Sequence, residues 1–171
     1  MHIRESRQDD FAAIHYVHNQ AFDRPDEARL VAKLQASGAA TVSLVAVVDG
    51  QVVGHILFSP VEIVMEGDAK PMRAAGLAPL AVLPAWQRRG IGSQLARQGL
   101  AACRDAGFDG VVVLGDPAFY GRFGFRRASE FGLGNQYGVD DEFMAIGLRS
   151  GALAGVAGVV QYLPEFSEIG A

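Results

Sequence analysis

The sequence predicts an α/β fold, a mixed sheet that opens antiparallel and closes on a parallel crossover, and three observations carry that prediction. Two runs rich in β-branched residues flank Asp49-Gly50, a two-residue tight-turn signature. A helical period from Gly90 to Ala106 is followed by the apolar run Val111-Val112-Val113-Leu114. A strand from about Met72 to Val82 precedes that helix. Strand, helix and apolar strand at this spacing make a βαβ unit, whose two strands run parallel. Helices layered on a sheet then bury the core.

Taken in order, Ile3 to Ser6 reads as a first short strand. Asp9 or Asp10 caps a helix reaching about Ala21, with Phe11, Ile14, Val17 and Ala21 as its apolar stripe. Pro25 and Asp26 restart the chain into a second helix, whose Leu30, Val31 and Leu34 face inward before Gly38 stops it. The hairpin strands are Thr41 to Val48 and Gln51 to Val64. A turn at Glu66-Gly67-Asp68 leads into the strand ending at Pro84, and Gly107 ends the long helix. After Leu114 come a short helix near Ala118 to Phe123 and strands at about Glu142 to Leu148 and Val156 to Tyr162, which complete the mixed sheet.

With 171 residues, half of them hydrophobic and a fifth charged, the chain fits one domain able to bury a real core. The expected layout is a single domain over 1–171, with its core at about 3–148 and a C-terminal strand and tail at 149–171. A net charge of -4 argues against a general nucleic-acid binder, which needs excess Lys and Arg. One cysteine allows no internal disulfide. The first seven residues are charged where a signal peptide is apolar, and no apolar run approaches a membrane span. The expectation is a soluble cytoplasmic protein with no nucleic-acid or membrane partner.

The most informative stretch is Gln87-Arg88-Arg89-Gly90-Ile91-Gly92-Ser93. Two glycines at a helix entry let backbone approach a ligand, and the first-turn amides lack intrahelical partners at the positive end of the dipole. Phosphate suits such a place. Arg88 and Arg89 add charge and Ser93 a hydroxyl. A P-loop would need a lysine before its Ser/Thr, and a Rossmann loop a third glycine where Leu95 stands. On its own the loop also fits a glycine-rich helix start that binds nothing.

The spacing Gln87-x-x-Gly90-x-Gly92 resembles the Gln/Arg-x-x-Gly-x-Gly/Ala signature of the GNAT family of N-acetyltransferases. The order strand, loop, helix, parallel strand and then tyrosine extends that resemblance from Ile3 to about Leu148. Gly54-His55-Ile56-Leu57-Phe58-Ser59-Pro60, Gly115-Asp116-Pro117 and the final strand are similar to the family's YhbS-like branch. The resemblance implies a GNAT-like sheet with splayed central strands, helices on both faces, and acetyl-CoA as co-substrate. Leu80, Ala81 and Val82 would pair with the pantetheine arm through backbone groups, much as a peptide adds to a sheet edge. Gln87, Arg88, Arg89, Gly90, Ile91, Gly92 and Ser93 would cradle the pyrophosphate. The backbone amide of Val82 would polarise the thioester carbonyl.

Tyr120, Gly124 and Phe125 match the family's Tyr-x-x-x-Gly-Phe element, which makes Tyr120 the implied general acid for the leaving thiolate. A neutral phenol can donate to that sulfur at pH 7. The general base is open: His55, with a pKa near neutrality, Glu62 along the same stretch, or Glu27, where the family's first helices border the acceptor. His15 and His18, at i and i+3, lack a third metal ligand and read as a solvated helix face, so no metal is expected. Cys103 reads as a buried, inert thiol. The implied reaction is direct attack of an amine, of a small molecule or a protein, on acetyl-CoA, by a monomer or homodimer. The rivals are an acyl-CoA sensor without turnover and a transferase of longer acyl groups.

Overall fold

A computed structural model describes residues 1–168. In chain order its strands and helices begin with β1 (His2–Glu5), α1 (Phe11–Phe22), α2 (Asp26–Ala36), β2 (Val42–Val48) and β3 (Gln51–Pro60). They continue with β4 (Glu62–Met65), β5 (Ala74–Val82), α3 (Ile91–Asp105), β6 (Gly110–Leu114) and α4 (Pro117–Tyr120). The last are β7 (Arg126–Arg127), β8 (Leu133–Asn135), β9 (Phe143–Gly147) and β10 (Gly158–Gln161). The class is the expected mixed α/β one. The described residues form two compact units, one of 1–59, 78–99 and 165–168, the other of 60–77 and 100–164.

In the first unit β1, β2 and β3 are antiparallel, with Val42 opposite Phe58 and Val48 opposite Gln51. Asp49 and Gly50 both take positive φ, 49° and 76°, as a type I′ hairpin turn requires. The end of β5 joins β3 through Leu83 N–H donating to Val53 O at 2.8 Å. β3 is buried from Val52 to Ser59, the pattern of a central strand. α1 buries Ile14, Val17 and His18, and α2 buries Leu30, Val31 and Leu34. Phe11 is exposed, so the stripe of α1 starts at Ile14. Small residues bring α3 close to β3. A Cβ on Gly99 would fall 2.4 Å from the Phe58 ring, and one on Gly54 would fall 3.0 Å from Leu95.

In the second unit the start of β5 pairs in parallel with β6, from Ala74–Gly110 to Gly76–Val112. That is the predicted crossover partner. β9 lies antiparallel to β6, and β7 antiparallel to β9. The strand expected over Gln51 to Val64 is two strands, because the chain breaks at Val61 and β4 joins a different sheet. β10 also corrects the prediction: with β4 antiparallel and β8 parallel to it, it forms a separate three-stranded sheet. Propensity specifies that a segment is a strand, but its partner depends on long-range packing.

Candidate active site

The end of β5 and the loop after it lie in the first unit. Leu83 N–H points to β3, so strand alternation turns the N–H and C=O of Val82 to the opposite edge. The Val82 carbonyl accepts from Gln87 Nε2 at 2.9 Å. Gln87 therefore fastens the loop back to the strand it leaves. Pro84 to Trp86 form a single 3₁₀ turn, with Trp86 N–H donating to Leu83 O at 2.8 Å.

Beyond that turn the backbone reverses through two left-handed residues, Arg88 at φ 64° and Gly90 at φ 82°. Arg88 carries the steric cost of that conformation, which only glycine adopts freely. The first intrahelical bond of α3 at this end is Gln94 N–H to Gly90 O at 3.0 Å. The amides of Gly90, Ile91 and Gly92 precede it and point out of the helix N-terminus, as phosphate binding needs. Gln87, Arg88, Arg89 and Gly90 are exposed. The Arg89 guanidinium lies over the Trp86 ring, 4.9 Å from its centroid.

Tyr120 belongs to the second unit. Asp116 caps α4 by accepting from Ala118 N–H at 2.9 Å, and Pro117 supplies a preset φ in the first turn. The Tyr120 ring meets Phe119 and Phe125 edge-on at 4.9 and 5.6 Å. A Cβ on Gly115 would lie 2.3 Å from that ring, so the Gly115 of the motif is required by close approach. Burial pushes the phenol up to about 12, which keeps it protonated.

The three base candidates sit in different settings. His55 is 0% exposed, and both ring nitrogens are engaged: Nδ1 with His18 Nε2 at 2.8 Å and Nε2 with Ser43 Oγ at 2.8 Å. Ser43 in turn accepts from Ser6 Oγ at 2.7 Å. Burial holds His18 down at about 4 and His55 well below its ordinary value, so both rings are neutral. His18 was expected on a solvated face beside His15. The structure corrects this: His15 is exposed, whereas His18 turns into the core and finds His55. Glu27 is buried at the start of α2, where Arg24 Nε donates to its Oε1 at 2.9 Å and Arg24 Nη2 pairs with its Oε2. Glu62 is exposed on β4, in the second unit.

Residues 2–128 match the model of the GNAT acetyltransferase domain. The chain belongs to the GNAT family. Its relatives place it in the YhbS-like branch, and membership makes it an acyl-CoA-dependent N-acyltransferase. It is 38% identical over 150 residues to the uncharacterized N-acetyltransferase YhbS of Escherichia coli, covering 86% of this chain and 87% of that protein. The crystal structure of Escherichia coli YhbS in complex with CoA superposes with a TM-score of 0.91 at 36% identity, over 99% of this chain and 93% of that one. A Brucella melitensis GNAT acetyltransferase in complex with acetyl-CoA gives 0.78 at 40% identity, over 96% and 97%.

Within this GNAT domain the sequence reading missed Trp86, whose only local signal is its i, i+3 spacing to Arg89. It also missed the His18–His55 pair, which sequence spacing does not reveal. Cys103 is buried, and burial raises its thiol to about 12. Among the described residues no cluster of three His, Cys, Asp or Glu side chains could hold a metal ion, and no helix is long and apolar enough to cross a membrane.

Proposed function

We propose that this GNAT domain transfers the acetyl group of acetyl-CoA to an amine of a small molecule or a protein by direct attack. The observation that carries the reading is the fastened loop: Gln87 tied to Val82, left-handed Arg88 and Gly90, and first-turn amides of α3 left to face a ligand. The amides of Gly90, Ile91 and Gly92 take the pyrophosphate, with Arg88 and Arg89 adding positive charge for the nucleotide's phosphates. The pantetheine arm pairs with β5 at Leu80, Ala81 and Val82. What supports this is that the ladder of β5 to β6 runs only from Ala74 to Gly76. The Val82 N–H, turned away from β3, donates to the thioester oxygen as negative charge develops there.

Tyr120 then donates to the departing sulfur. In water a phenol is a weaker acid than a thiol, so full proton transfer would run uphill. Burial raises the Tyr120 phenol to about 12, and desolvation raises a CoA thiol in the same direction. Tyr120 therefore donates a hydrogen bond that strengthens as charge develops on the sulfur, and passes its proton on as the sulfur leaves. For the amine's proton, Glu27 has a better claim than His55. A carboxylate keeps lone pairs beyond those Arg24 occupies, whereas both nitrogens of His55 are engaged.

Titration calorimetry with CoA and acetyl-CoA, followed by an amine panel read out as free thiol, tests the reading. Both nucleotides should bind, and at least one amine should release thiol. Tyr120→Phe should lower kcat by about 100-fold while leaving the Kd for CoA within about twofold. Absence of binding by either nucleotide overturns the proposal, and binding without turnover by any amine would leave a sensor.

A further inference from the structure

Arg89 is not a free rim charge, and what holds it gives the loop a part that the phosphate-binding signature does not contain. Trp86 is the last residue of its 3₁₀ turn, and its backbone is fixed from both sides. Its own N–H donates to Leu83 O, and the next residue bonds twice, Gln87 N–H to Pro84 O at 3.3 Å and Gln87 Nε2 to Val82 O. The ring is half-buried and accepts the Arg89 guanidinium on its face at 4.9 Å. Between them Arg88 is left-handed, a reversal that brings Arg89 back toward Trp86. Arg89 is the one stacked on the indole.

An arginine side chain has many rotamers, and ordering it on a ligand is costly. Stacking on an aromatic face orders the guanidinium beforehand and leaves its in-plane N–H donors free. A planar fork with free donors matches two oxygens of one phosphate. We propose that Trp86 is a positioning residue, whose ring presets the Arg89 fork for a phosphate group of the donor nucleotide. This rests on the reading of the loop as a CoA site. CoA carries two phosphate sources, the pyrophosphate and the ribose 3′-phosphate, and the same chemistry serves either.

The test measures Kd by calorimetry for CoA, dephospho-CoA and 4′-phosphopantetheine on wild type, Trp86→Leu, Arg89→Met, the double variant and Trp86→Tyr. Arg89→Met should weaken CoA by about tenfold, and Trp86→Leu by about threefold, the scale of an exposed cation–π contact. In the Arg89→Met background the Trp86→Leu change should add almost nothing, because the ring acts through the arginine. Trp86→Tyr should restore most of the affinity. If the Trp86 effect vanishes with dephospho-CoA, the fork serves the 3′-phosphate. If it persists there, it serves the pyrophosphate, with 4′-phosphopantetheine reporting a lone phosphate. Equal losses from Trp86→Leu in both backgrounds would mean that the ring touches the nucleotide itself, and would overturn the proposal. So would no loss in either. Failure of the wild type to bind CoA overturns instead the functional reading beneath it.

Discussion

The first unit uses its polar groups in two opposite ways. At the start of α3, backbone amides, two arginines and a strained left-handed turn stand exposed, fastened from behind by Gln87. Between α1 and β3, two imidazoles and two hydroxyls form a chain from His18 through His55 and Ser43 to Ser6, and both rings are fully buried. Polar atoms in the second place are directed at one another, apart from His18 Nδ1, which has no partner among the described residues. Those in the first are directed outward. The contrast separates stability from chemistry: altering the buried chain should disturb folding, and altering the loop should disturb ligand binding.

The sharpest break of that contrast is His55→Leu. It leaves His18 with both nitrogens buried and unpartnered and takes a partner from Ser43, which should cost about 4 kcal/mol and lower Tm by on the order of 10 °C. A His18→Leu, His55→Leu double variant should recover part of the loss, because removing both ends of a buried pair costs less than orphaning one. Thermal unfolding followed by circular dichroism reads both. A silent His55→Leu would mean that the buried chain contributes nothing to stability.

Acid should weaken the same place by a slightly smaller amount. His18 falls from 6.5 to about 4 on folding because burial disfavours its charged form, with the neighbouring His15 adding to the shift. Between those values the unfolded chain binds the extra proton. The stability is therefore complete above about pH 6.5 and is lost as pH falls through about 4. The shift corresponds to about 3 kcal/mol, with His55 acting in the same direction. Urea titrations at pH 7 and pH 4.5 should show the loss, and a His18→Gln variant, less stable at pH 7, should show a shallower dependence on pH. Equal pH dependence in both proteins would remove His18 as the cause.

The loop was legible in the sequence and the histidine chain was not, for a physical reason. Gln87, Gly90 and Gly92 are local signals, fixed by the backbone geometry of one helix entry. His18 and His55 are 37 residues apart, one on a helix and one on a strand, and their pairing depends on how α1 packs on β3. At i and i+3, His15 and His18 look equivalent, yet one is exposed and the other buried. The hairpin, both N-terminal helices and the β5–α3–β6 crossover were likewise readable from turn residues and period. β7 and β8, with two and three residues, are too short to carry a period, and β4 and β10 carry no sign of the sheet they join.

The smallest expected change in stability sits in the loop, where the effect should fall on binding rather than on folding. Gly90 holds φ at 82°, and a Cβ there would meet open space within 4 Å. Gly90→Ala therefore adds no clash, only the backbone cost of a left-handed L-residue, about 1 kcal/mol or a Tm drop of roughly 3 °C. The backbone can relieve that cost by relaxing φ. Relaxation re-aims the N–H groups of Ile91 and Gly92, which lie immediately beyond it. Affinity for CoA should then fall by about tenfold, while Gly90→Asn, whose side chain tolerates this conformation, should lose less. Calorimetry beside thermal unfolding separates the two effects. Should Gly90→Ala lose the small amount of stability and keep full affinity, the amides of this helix entry are not where the phosphates sit.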